Sequence, residues 1–179
     1  TAINDGEAVF GGSSRWAGST KRILMNPAAG KAATLTFAGA ADKDASGDLY
    51  MGGTDGGVST LNLGSTKTYG NFGYAMLVGR NFGTAVLNMS SGTLNVGERG
   101  IEFGTGDAKS AGATKGVLNL SGGTISYTTQ DISGWSDTGR PIGLLVGYGG
   151  YTSVTDGRPY VGEVNLSGGD VLNSFGHTL

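Results

Sequence analysis

The sequence predicts an all-β chain folded as a parallel β-helix, a β-solenoid in which equivalent short strands of successive coils pair in register. Three observations predict it. An alternating apolar and polar segment recurs at near-constant spacing, a second strand-like segment recurs out of phase with it at the same spacing, and a Ser/Gly corner follows the first segment in later copies. A period of 20–50 residues, rich in strands and punctuated by glycine, reads as one coil per period. No window holds a sustained apolar period of 3.6, so helices longer than about a turn are not expected.

In chain order, residues 1–30 form an irregular first coil, in which Ala8 and Phe10 sit 27 residues ahead of Leu35 and Phe37. The first segment then appears as Thr34-Leu35-Thr36-Phe37, Thr60-Leu61-Asn62-Leu63, Val86-Leu87-Asn88-Met89, Val117-Leu118-Asn119-Leu120 and Glu163-Val164-Asn165-Leu166, at intervals of 26, 26, 31 and 46 residues. The second appears as Ile23-Leu24-Met25, Leu49-Tyr50-Met51-Gly52, Met76-Leu77-Val78-Gly79, Ile101-Glu102-Phe103-Gly104 and Leu144-Leu145-Val146-Gly147, at intervals of 26, 27, 25 and 43. The corner, Ser90-Ser91-Gly92, Ser121-Gly122-Gly123 and Ser167-Gly168-Gly169, allows positive φ and opens a further strand at Leu94, Ile125 and Val171. Each period is therefore strand, corner, strand, loop, strand, loop.

This organisation makes residues 1–179 one β-solenoid domain: the irregular coil 1–30, regular coils over 31–126, loop insertions over 127–160 and an incomplete last coil over 161–179. About six coils fit, stacked roughly 4.8 Å apart. An antiparallel sandwich of hairpins would also use the glycines, but nothing in a sandwich holds Leu35, Leu61 and Leu87 to one interval. Because side chains alternate along a strand, the core is expected from Leu35, Phe37, Leu61, Leu63, Leu87, Met89, Leu118, Leu120, Val164 and Leu166.

Composition narrows the function. Glycine supplies 36 residues and proline 3, which suits tight turns and excludes collagen. With 12 basic and 14 acidic residues and a net charge of −2, no electrostatic case exists for a nucleic acid partner or an anionic membrane. No apolar run approaches the ~18 residues of a membrane span, so no membrane insertion is expected. The chain opens at Thr1 without a signal core, as expected of a mature or excised piece. Cysteine is absent and His177 is the only histidine, which removes thiol chemistry and leaves no histidine-rich metal site.

Two columns follow from the alternation. Asn62, Asn88, Asn119 and Asn165 point outward, where their amides suit a coil-to-coil ladder better than a ligand site. The Asn-Leu-Ser and Asn-Met-Ser triplets also match a glycosylation pattern, as a by-product of the repeat. On the second strand, Leu24, Tyr50, Leu77, Glu102 and Leu145 point outward. Leu24, Tyr50, Leu77 and Leu145 make an apolar stripe of the kind that another segment or a partner covers.

The repeats Val-Leu-Asn-Met-Ser-Ser-Gly-Thr-Leu (86–94), Val-Leu-Asn-Leu-Ser-Gly-Gly-Thr-Ile (117–125) and Val-Asn-Leu-Ser-Gly-Gly (164–169), alternating with Leu-x-Val-Gly strands, resemble those of bacterial autotransporter passenger proteins. The resemblance covers residues 31–179 well and 1–30 weakly. It implies a right-handed parallel β-helix at an extracellular location or on a bacterial cell surface, adhesive or stalk-like, commonly cysteine-free. It supplies no catalytic motif.

No enzyme, cofactor or metal is expected. A polysaccharide-cleaving β-helix needs carboxylates converging on one strand face, whereas Glu102 stands alone on its column and the aspartates fall mostly in turns. Gly52-Gly53-Thr54-Asp55-Gly56-Gly57 occurs once, too few for a calcium β-roll. The strongest binding signal is the pair of inserts 128–140 and 148–160, which hold Trp135, Tyr148, Tyr151 and Tyr160 with Arg140 and Arg158. Aromatic faces beside charged groups suit a glycan or a host-surface protein, and equally a loop packed over the outer stripe near Leu145. The expected partners are thus other copies of the chain, through terminal coils or the stripe, and an external glycan or protein. The reading is a structural or adhesive module, part of a larger surface protein or an end-to-end assembly; the alternative is a carbohydrate-binding or carbohydrate-cleaving β-helix that uses the 128–160 loops.

Overall fold

A computed structural model describes residues 2–16, 23–43, 49–52, 56–72, 76–80, 83–96, 101–105, 114–127, 144–146 and 160–173. Among them every regular element is a strand. A six-stranded sheet takes β1 (Ala2–Ile3), β4 (Ile23–Met25), β7 (Leu49–Met51), β10 (Met76–Arg80), β13 (Ile101–Thr105) and β15 (Leu144–Val146) in that spatial order. A ten-stranded sheet runs through β2 (Gly6–Phe10), β5 (Ala32–Gly39), β8 (Val58–Ser65), β11 (Gly83–Met89) and β14 (Thr114–Tyr127). From β14 it returns through β12 (Thr93–Val96), β9 (Thr68–Phe72), β6 (Asp42–Lys43) and β3 (Arg15–Trp16), and β16 (Tyr160–Asn173) pairs with β14.

All of these pairings are parallel, and their registers follow the repeat. Leu35 pairs with Leu61, Leu61 with Leu87, Leu87 with Leu118 and Leu118 with Val164. Out of phase, Ile23 pairs with Leu49, Leu49 with Met76, Met76 with Ile101 and Ile101 with Leu144. The corner strands stack Leu94 on Ile125 and Ile125 on Val171. Parallel neighbours need a crossover between them, and here strands of the other columns supply it. Hairpin pairing, the sandwich alternative, does not occur among the described residues.

Alternation in sequence becomes alternation in burial in β5, β8 and β11, one face inward: β11 reads buried, half-buried, buried along its whole length. Leu35, Leu61, Leu87 and Leu118 form one fully buried row, Phe37, Leu63, Met89 and Leu120 the next, and Met25, Met51, Val78 and Phe103 face them from the other sheet. Each such side chain contributes roughly 1.5–3 kcal/mol when buried. Phe10 stacks on Phe37 with ring centroids 5.2 Å apart. One expected core residue differs: Leu166 is 63% exposed, and Val164 is half-buried. The reason is positional, since β16 has β14 on one side and no described strand on the other.

The Ser/Gly corners carry the expected positive φ, 78° at Gly92, 85° at Gly123 and 82° at Gly169. In β14 and β16 the corner does not end the strand. Both run for 14 residues through it, with register shifts at Leu120/Ser121 and Ser121/Thr124.

A second glycine feature was not visible as a motif. Gly79 and Gly104, which follow Val78 and Phe103, face Gly116 and Gly162, the last members of a column of small residues, Ala33, Ser59, Ala85, Gly116 and Gly162, which are successive register partners. A Cβ on Gly104, at φ 61°, would meet the Val161 carbonyl, and one on Gly79, at φ 73°, the Lys115 carbonyl. The two sheets meet along this seam at backbone contact. Ser59 is buried in it and donates its hydroxyl to the Gly52 carbonyl at 2.6 Å.

Candidate functional site: the asparagine ladder and its groove

On the outer face of the ten-stranded sheet, the expected column forms a continuous hydrogen-bonded ladder. Asn165 Nδ2 donates to Asn119 Oδ1 at 2.9 Å, Asn119 Nδ2 to Asn88 Oδ1 at 2.8 Å, and Asn88 Nδ2 to Asn62 Oδ1 at 2.9 Å. Asn62 Nδ2 donates to Thr36 Oγ1 at 3.1 Å, and Thr36 Oγ1 to Glu7 Oε1 at 3.3 Å. The amides align because Thr36, Asn62, Asn88, Asn119 and Asn165 are consecutive register partners on parallel strands. Slippage by one residue would turn every one of them inward.

The ladder ends at Glu163. Its Oε1 accepts from Asn165 Nδ2 at 2.8 Å, and its Oε2 lies 3.0 Å from Lys115 Nζ. Asn165 first and Lys115 second hold the Glu163 carboxyl below its ordinary pKa, because both favour the ionised form.

Beside the ladder runs a shallow groove of about 280 Å³, bounded by the amides on one side and by Ala38, Gly64, Ser90 and Ser121 on the other. Gly64 leaves the floor open between Phe37 and Ser90. Asn62, Asn88 and Asn119, which line the groove, each spend one N–H on a neighbour, and a second N–H remains in each amide's inventory. The groove therefore offers regularly spaced donors along an apolar floor. It holds no carboxylate pair and no nucleophile–base pair, and no group of three or more potential metal ligands occurs among the described residues.

The binding candidates Trp135, Arg140, Tyr148, Tyr151 and Arg158 lie outside the described residues. Tyr160 opens β16 as the backbone partner of Thr114, and its side chain is likewise outside the description. Leu24, Tyr50, Leu77, Glu102 and Leu145 do occupy one register column. Leu24 is exposed and Tyr50 half-buried; the side chains of Leu77, Glu102 and Leu145 are not described. No described helix is long and apolar enough to cross a membrane.

Comparison with protein-family models, with curated proteins and with solved structures found no match.

Proposed function

We propose that the two sheets are faces of one right-handed parallel β-helix of about six coils, and that the chain is a structural or adhesive module of an extracellular or bacterial surface protein. The observation that carries this reading is the unbroken in-register column from Thr36 to Asn165, hydrogen-bonded through side chains as well as backbone, with Glu7 of the adjoining column accepting at its end. Such a column favours stiffness and defined length over chemistry. The likeness of the Val-Leu-Asn-Leu-Ser-Gly-Gly repeats to autotransporter passengers adds the surface location.

The stacking is tested inside one chain with two introduced cysteines, which meet no native thiol. Asn62→Cys with Asn88→Cys should oxidise to an intramolecular disulfide, since parallel neighbours lie about 4.8 Å apart and within disulfide reach; Asn62→Cys with Asn119→Cys, two strands apart, should not. Equal oxidation of both pairs would refute the stacking. For the location, antibody labelling of intact source cells should be lost after external protease. Labelling that appears only after permeabilisation would overturn it. Glycan-array binding abolished by Trp135→Ala would instead favour the carbohydrate-binding alternative.

A further inference from the structure

Three asparagines sit inside the ladder with a bonded neighbour on each side. Asn88 donates from Nδ2 to Asn62 and accepts at Oδ1 from Asn119, and Asn62 and Asn119 repeat the arrangement on the strands either side. In each amide the donated N–H and the accepting carbonyl therefore point in opposite directions along the column. Amides are planar, so the donated N–H is the one anti to the carbonyl. The second N–H lies syn to it and continues the line of the side chain away from the sheet.

This geometry decides what a substituent on Nδ2 would do. A secondary amide strongly prefers the trans form, whose single N–H is anti to the carbonyl. A carbon on Nδ2 thus replaces the outward N–H and leaves the ladder bond in place. Asn88-Met89-Ser90 and Asn119-Leu120-Ser121 match the acceptor pattern for an N-linked sugar, whereas Asn62-Leu63-Gly64, in the same ladder, does not. In sequence the triplet follows from the repeat; the ladder gives it an attachment geometry. Residues two apart share a strand face, so Ser90 and Ser121, both exposed, stand across the groove from their asparagines. The groove is lined by uncharged residues, which suits a neutral, hydroxyl-rich ring. Asn165 differs, because its Nδ2 donates to both Asn119 and Glu163 and both of its N–H groups are committed.

We infer that Asn88 and Asn119 are attachment sites for an N-linked sugar, which lies along the groove while each modified amide keeps its bond to the next rung. The step is a glycosyl transfer from a sugar activated as a phosphate ester. Nδ2 attacks C1 and the Nδ2–C1 bond forms. The C1–O bond breaks with its electron pair leaving on the phosphate, and one Nδ2 proton passes to a base of the transferring enzyme. Nothing is oxidised or reduced. The inference stands on the ladder and not on the cellular location.

The chain purified from its source and mapped by electron-transfer mass spectrometry should carry a sugar mass on Asn88, on Asn119 or on both, and none on Asn62. Ser90→Ala and Ser121→Ala should each remove the sugar from their own asparagine. Gly64→Ser should add one at Asn62, since a Cβ at that position meets the Phe37 carbonyl and Ser90 Oγ at ordinary contact distances of 3.5 and 3.6 Å. Bare Asn88 and Asn119 in the native chain, or a sugar on Asn62 without the Gly64 change, would overturn the inference. Thermal melting tests the retained bond: the parent should melt close to the sugar-free Ser90→Ala/Ser121→Ala chain. A sugar-bearing chain that melts as low as Asn88→Ala would show that attachment breaks the ladder, and the inference would fail on that result too.

Discussion

Asn88 shows what one residue in the ladder does. It donates to Asn62 and accepts from Asn119, so Asn88→Ala removes two hydrogen bonds and leaves both neighbours with an unmet partner on a part-buried face. The expected loss is about 1–2 kcal/mol in chemical denaturation, with Asn165→Ala, at the exposed end, costing less. Glu163 gives a pH signature. Its folded pKa lies below the unbound value of 4.5, so the stability it adds is complete above that value and is lost as pH falls through the folded pKa. The pair is solvent-exposed and salt-screened, so the effect on stability is small. The measurable effect is on titration: carbon-detected NMR should place the Glu163 midpoint below the ordinary range, and Asn165→Ala or Lys115→Met should move it upward.

For the strands, the seam where the sheets touch matters more than strand propensity. Gly104 has a positive φ and no room for a Cβ against Val161. Gly104→Ala therefore combines backbone strain with overpacking and should cost about 2–4 kcal/mol, read as a lowered denaturation midpoint. Gly30→Ala makes the control, since φ there is 73° and the space is open. It should show the strain alone. Were both variants equally destabilised, close contact at the seam would not be the cause.

The described strands pair in stacked parallel columns, so tolerance to deletion should follow the repeat. Val58 and Thr84 are register partners; excising residues 58–83 joins Gly57 to Thr84 and restores every column one strand shorter. That variant should keep its β-sheet circular dichroism and melt cooperatively at a lower temperature, because each repeat contacts only its neighbours. Excising residues 58–70 breaks phase between the two sheets and should abolish the cooperative transition.

Most of this architecture was legible because the physics is periodic. Alternation at period two selects the inward face, and the 26-residue interval by itself stacks Leu35, Leu61 and Leu87. The asparagine column was equally readable, because identical amides at identical positions on parallel strands have each other as partners. The exposure of Leu166 was not readable: its place in the repeat is a core place, and only the absence of a described strand beyond β16 uncovers it. The small-residue seam was also missed, since contact between Gly104 and Val161 depends on how two sheets approach across the interior, a distance that no spacing along the chain encodes. Local pattern thus determined which residues pair and which side they face, because those follow from strand geometry; the tertiary structure decided where backbone meets backbone, because that depends on the three-dimensional approach of segments far apart in the chain.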